Sequence, residues 1–169
     1  MSRQPIAATS RVIAGIRWLW IAAFVGCGHA GFSLYWTTGG TWLLDTVGSW
    51  AVAAAAEGGP LIRGGLLAIG MSKLVAALTP VLVERTAHPR LRRWVRGISW
   101  IGALGLTAYG GANTIVATLV LNGVISTEDD QDHQALLGHA LLWDPMFLAW
   151  GLSLLAGLVL TRSTRKGRD

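Results

Sequence analysis

Residues 27–45 read CGHAGFSLYWTTGGTWLLD. An apolar run there holds one histidine, His29, closes on Tyr35-Trp36 and leaves through Gly39-Gly40. Aromatic residues gather where membrane helices meet water, and an ionisable group inside a span is costly enough to mark a site by default. The stretch therefore reads as the outer end of a membrane helix that carries a polar group.

Upstream, the apolar run reaches back to Val12, so a first span is expected over about 12–36, longer than the ~20 residues that cross a bilayer. Arg17 can snorkel from its first turns, and Trp18 and Trp20 anchor it at one interface. Tyr35, Trp36 and Trp42 anchor the other. The segment Ala23-Phe24-Val25-Gly26-Cys27 resembles a lipoprotein cleavage box, but the apolar run continues past Cys27 and three more spans follow, which favours an uncleaved helix.

The composition agrees with a membrane chain. Of 169 residues, 52% are hydrophobic and 14% charged, with a mean hydropathy of +0.48; soluble domains carry about a quarter charged residues. The net charge of +5 would fit a nucleic-acid partner if it formed a binding face. It is instead confined to segment ends, with no base-stacking or phosphate motif, so no nucleic acid is expected. The single cysteine excludes an internal disulfide and a Cys-based zinc cluster.

Downstream, residues 37–62 form an outer loop too short and too glycine-broken to span, with a short interfacial helix expected from Leu43 to Ala56. Further spans are expected over about 63–84, with Pro80 near its end, and then over about 97–124 and 135–160. The connection ERTAHPRLRRWVR sets five arginines against Glu84, the tail TRSTRKGRD is basic, and the loop STEDDQDHQ is acidic. Basic segments stay in the cytoplasm. The expected fold is an all-α, single-domain integral membrane four-helix bundle in a bacterial inner membrane, with both termini cytoplasmic. The acidic run lacks the ligand spacing and glycine of a calcium-binding hand and reads as a solvated loop.

Chemistry concentrates inside the spans. Counted from the outer helix ends, His29, Lys73, Asn113 and Asp144 fall within about 10–15 Å of the outer surface. Four helices thus contribute a costly group to one layer, which suggests a common polar centre rather than four lipid-facing side chains. Lys73 and Asp144 are the expected ion pair, with His29 and Asn113 completing the hydrogen bonds. Tyr109 stands one turn before Asn113 on the same face, and His139 lies nearer the mouth. Small residues, Ala103-Thr107-Gly111 on one helix and Gly26-Ala30 on another, predict close helix packing.

The order His29, Tyr35-Trp36, Gly39-Gly40-Thr41-Trp42, Tyr109-Gly110-Gly111 and Trp143-Asp144-Pro145 resembles the small bacterial membrane proteins of domain-of-unknown-function family 3995. The resemblance covers about residues 15–160. It implies a four-span membrane domain without an assigned activity.

The expectation is a lipid-embedded protein whose polar centre binds a small or amphipathic ligand. The alternative is a structural or partner-binding subunit, homo-oligomeric or joined to another membrane protein, whose polar groups only hold the helices together. No cofactor or metal is expected; haem between His29 and His139 is the cofactor alternative. A lipid-modifying enzyme could use His29 or Asp144 as acid or base, but no motif fixes a reaction and no catalytic residue is named. A proton-coupled carrier would need to oligomerise, there being no internal repeat. Walker, Rossmann and zinc-protease signatures are absent.

Overall fold

A computed structural model describes residues 4–86, 88–125 and 132–162 of the chain. Within them the fold is five helices: α1 (Gln4–Thr37), α2 (Ser49–Glu57), α3 (Pro60–Thr86), α4 (Pro89–Leu121) and α5 (His133–Thr161). The acidic residues Glu128, Asp129 and Asp130, and the basic tail beyond Arg162, lie outside the described residues. Four stretches, Thr9–Thr37 of α1 and all of α3, α4 and α5, are long and apolar enough to cross a bilayer. At ~1.5 Å per residue, the shortest, of 27 residues, spans about 40 Å. Phe24, Leu61, Ile101 and Leu141 stand strongly exposed around the outside, a surface suited to hydrocarbon rather than water. The chain is a multi-pass membrane protein.

Two helix boundaries differ from the sequence reading. α4 begins at Pro89 rather than near Gly97, because His88 caps it, its ring accepting from Arg90 N, and Pro89 fits the first helical position. The arginine run 90–96 is therefore the first two turns of a helix, not a loop. α2 begins at Ser49 rather than Leu43: Leu43 and Gly48 have φ of 59° and 136°, so the preceding residues turn instead of coiling. Gly58 closes α2 in the left-handed conformation, donating its N–H to Ala54 O.

α1 packs between α3 and α5, and α5 packs between α1 and α4, whereas the consecutive helices α3 and α4 touch far less. The layer order is thus α3–α1–α5–α4, with its outer members in sparse contact. Small residues set these approaches within one chain. A Cβ on Gly26 would overlap Trp150 and Ala77, and one on Gly157 would overlap Leu19. On α4, Ala103 and Thr107 meet Gly151 as the small-residue spacing suggests, but Gly110 rather than Gly111 makes the closest contact, against the backbone of Asp144 and Leu148. Leu19, Val81, Ala103, Trp150, Leu154 and Leu158 form the buried core.

Each end of the bundle is tied. At the basic end, Arg96 Nη1 donates to Glu84 Oε2 (2.9 Å) and Thr161 Oγ1 (2.7 Å), and Nη2 donates to Leu158 O (2.7 Å). One guanidinium thereby joins α3, α4 and α5. At the acidic end, Asp132 Oδ1 caps α5 by accepting from Ala135 N, while Oδ2 accepts from Ser49 N at the start of α2.

Candidate functional site

α5 is not a uniform α-helix. Residues His139–Trp143 form a π turn between the α-helical segments His133–Gly138 and Asp144–Thr161. Pro145 lacks the N–H that would bond Leu141 O, so the ladder must loosen here. In an α-helix residues five apart point about 140° away from each other; the wider i→i+5 turn brings them together. His139 Nδ1 accordingly lies 2.9 Å from Asp144 Oδ2, and Asp144 is 1% exposed. His139 Nε2 faces Val47 O at 3.4 Å. The loop before α2 thus lies over the pair, and Trp143 Nε1 donates to Thr46 O and Thr46 Oγ1 at 3.1 Å each.

The opposite wall comes from α1 and α3. Lys73 Nζ lies 3.2 Å from His29 Nδ1 and 3.0 Å from Ser33 Oγ. With Lys73 as the ammonium, which has donors only, His29 Nδ1 accepts and its ring proton falls on Nε2. The expected Lys73–Asp144 ion pair is therefore replaced: among the described residues Lys73 bonds to α1, and Asp144 bonds within its own helix. The reason is register, since Ser33 stands one turn beyond His29 and offers Lys73 a nearer acceptor.

Phe147 stands between the walls. Its ring centroid is 4.1 Å from His29 and 5.7 Å from Tyr109, and Lys73 Nζ lies 5.8 Å above it, within cation–π range. Trp143 closes the acidic-end side, 5.7 Å from His29 and edge-on to Phe32 and Trp36. Asn113 comes up to the Asp144 carboxylate from α4 but at longer range than a formed hydrogen bond, for Asp144 Oδ1 is buried without a partner. His29 Nε2 is buried and unpartnered as well. Each wall therefore keeps one polar atom unused, a donor on His29 and an acceptor on Asp144.

Of the six residues expected to form the centre, His29 and Lys73 meet directly, as do His139 and Asp144, and Asn113 lies beside the carboxylate. Tyr109 is exposed and reaches the group only through Phe147. His139, read as a mouth residue, is instead the carboxylate's partner. Of the two histidines considered as a haem pair, only His29 keeps a nitrogen unengaged. Ser33 and Phe147 escaped the sequence reading, and Trp143 entered it only through the Trp143-Asp144-Pro145 motif. Ser33 carried a weak signal, a small hydroxyl one turn from His29, and Phe147 none. Among the interface aromatics, Trp18, Trp20, Tyr35 and Trp42 are exposed, while Trp36 turns inward and donates from Nε1 to Trp42 O.

The model of a protein family of unknown function, DUF3995, matches residues 26–154. The match covers most of the chain and every residue of the polar centre, and the chain belongs to this family. No curated protein and no solved structure matches it.

Proposed function

We propose that this member of the DUF3995 family binds a small or amphipathic ligand in its intramembrane polar centre. The observation that carries the reading is that two of the three buried, unpartnered side-chain atoms among the described residues, His29 Nε2 and Asp144 Oδ1, fall in this centre, the third being Trp150 Nε1 in the hydrophobic core. Leaving a buried polar group unsatisfied costs about 1–3 kcal/mol each in proteins, and no bilayer water is present to relieve it. Groups that served only to hold helices together would be expected to satisfy one another. A ligand offering an acceptor to His29 and a donor to Asp144 completes both.

The sparse contact between α3 and α4 supports a lateral route. Lys73 on α3 and Asn113 on α4 are half-buried, and Tyr109 is exposed beside Phe147. An amphipathic molecule arriving from the bilayer meets an aromatic floor first and polar groups behind it. That order favours an apolar body with a polar head. No general acid, base or nucleophile is assigned.

The charge pattern supports a bacterial cell-membrane setting with both termini cytoplasmic. Arg85, Arg90, Arg92, Arg93 and Arg96 share one end of the bundle; Asp45, Glu57 and Asp132 share the other, and the basic end belongs inside. α2, with Trp50 and Val52 exposed, then lies at the outer interface.

A structural or partner-binding subunit is the second reading, favoured by one observation: the Lys73–His29–Ser33 contact fastens α3 to α1. Solvent extracts of wild-type and Asp144→Asn protein, purified side by side and compared by mass spectrometry, separate the two. A species enriched on the wild type and lost from the variant is expected. Identical extracts would favour the structural subunit.

A further inference from the structure

A cavity of about 330 Å³ opens at the acidic end between the turn after α1, helix α2 and the first two turns of α3. Its volume is within the ~300–1,000 Å³ range of small-molecule sites. It is separate from the polar centre, from which the edge-on rings of Trp36 and Trp143 divide it. Two charges of opposite sign line it, Asp45 and Arg63, and its remaining wall is largely apolar, with Trp36, Val52, Ile62 and Leu66.

The two charges do not neutralise each other. Neither takes part in an ion pair among the described residues. Asp45 Oδ1 accepts from Thr46 N at 3.0 Å, which fixes the carboxylate and leaves Oδ2 without a hydrogen bond among the described residues. The Arg63 guanidinium lies beside Gly58, at the C-terminus of α2, where the carbonyls of Ala55 and Ala56 also gather; helix C-termini favour a cation there. Arg63 is also apart from every other arginine of the spans, which cluster at the basic end or in α1. A cation held without a counter-ion, a carboxylate held nearby and an apolar wall between two helices describe a receptor for a zwitterion with a hydrocarbon body.

The surroundings choose among zwitterions. Trp42, Trp50 and Leu61 beside the cavity are strongly exposed, as expected of residues at the headgroup layer. We infer that this cavity binds the headgroup of a phospholipid bearing a primary ammonium, a phosphatidylethanolamine, with its phosphate on Arg63, its ammonium on Asp45 and its first acyl carbons along Ile62 and Leu66. A primary ammonium can donate hydrogen bonds to Asp45, which the quaternary ammonium of phosphatidylcholine cannot.

The test is native mass spectrometry of the full chain, reconstituted with equal amounts of phosphatidylethanolamine, phosphatidylcholine and phosphatidylglycerol of identical acyl chains and then released from detergent. One retained phosphatidylethanolamine is expected, favoured over phosphatidylcholine by about fivefold, equivalent to about 1 kcal/mol. Asp45→Asn should bring that ratio to near one, and Arg63→Gln should lower retention of all three lipids. Both side chains are exposed, so each variant reads out independently if the other fails to fold. Asp144→Asn should keep the preference, which separates this site from the polar centre. A wild type with no headgroup preference, or an unchanged ratio in Asp45→Asn, would overturn the assignment.

Discussion

The pairing of Lys73 governs how the polar centre is understood. Its donors go to His29 and Ser33, and the carboxylate it would have been expected to neutralise is held by His139. Exchanging the charges, Lys73→Asp with Asp144→Lys, is therefore expected not to restore the folded yield lost in either single variant; substantial recovery would reinstate the direct pair. A double-mutant cycle of Lys73→Met and His29→Phe, followed by unfolding in detergent micelles, should give a coupling of about 1 kcal/mol, within the range of interhelical polar contacts in membranes. The same cycle for Lys73 with Asp144 should give almost none. Which residues carry the cost of burial was legible, because a histidine, a lysine and an aspartate inside apolar runs announce themselves. Their partners were not. Partner choice depends on helix rotation, and Phe147, which touches His29, Lys73 and Tyr109, is one apolar residue in an apolar helix.

At the level of the helix, the π turn and the glycine contacts decide where side chains face. Four spans could be read from hydrophobic length alone, with the last expected to run unbroken through Pro145. That it is interrupted there by a π turn, which brings His139 to Asp144, depends on how the loop of Thr46 and Val47 and the glycines of α4 press on α5. Periodicity carries no record of such contacts. The small-residue spacing identified the right face of α4 but the wrong glycine within it. Gly110→Val is expected to force α4 away from α5 and to cost about 1–3 kcal/mol, the usual scale of overpacking, measured by thermal unfolding in detergent. Gly105→Ala, where a new Cβ meets nothing within 4 Å, should change stability by less than about 0.5 kcal/mol. Equal losses at both sites would mean that α4 and α5 do not meet through Gly110.

Over the whole molecule, charge separates the two ends and packing leaves one side open. A reporter fused after Asp169 and another inserted after Thr86 should both give a cytoplasmic signal; a periplasmic signal from either would invert the proposed orientation. Membrane class and number of spans followed from composition and hydropathy, since no other arrangement can shelter so much apolar surface. The sparse contact between α3 and α4 did not follow, because helices adjacent in sequence are ordinarily expected to be neighbours in space. The unused polar atoms of His29 and Asp144 are the basis for reading the centre as a binding site. Native mass spectrometry of the intact chain, released gently from the detergent in which it was extracted, tests this most directly. The expected result is a defined non-protein mass, distinct from any lipid held at the Asp45–Arg63 cavity, that is retained in Asp45→Asn and lost in Asp144→Asn. A wild-type chain carrying no mass that depends on Asp144, with the variant merely less stable, would contradict it and leave the polar groups as fastenings between helices.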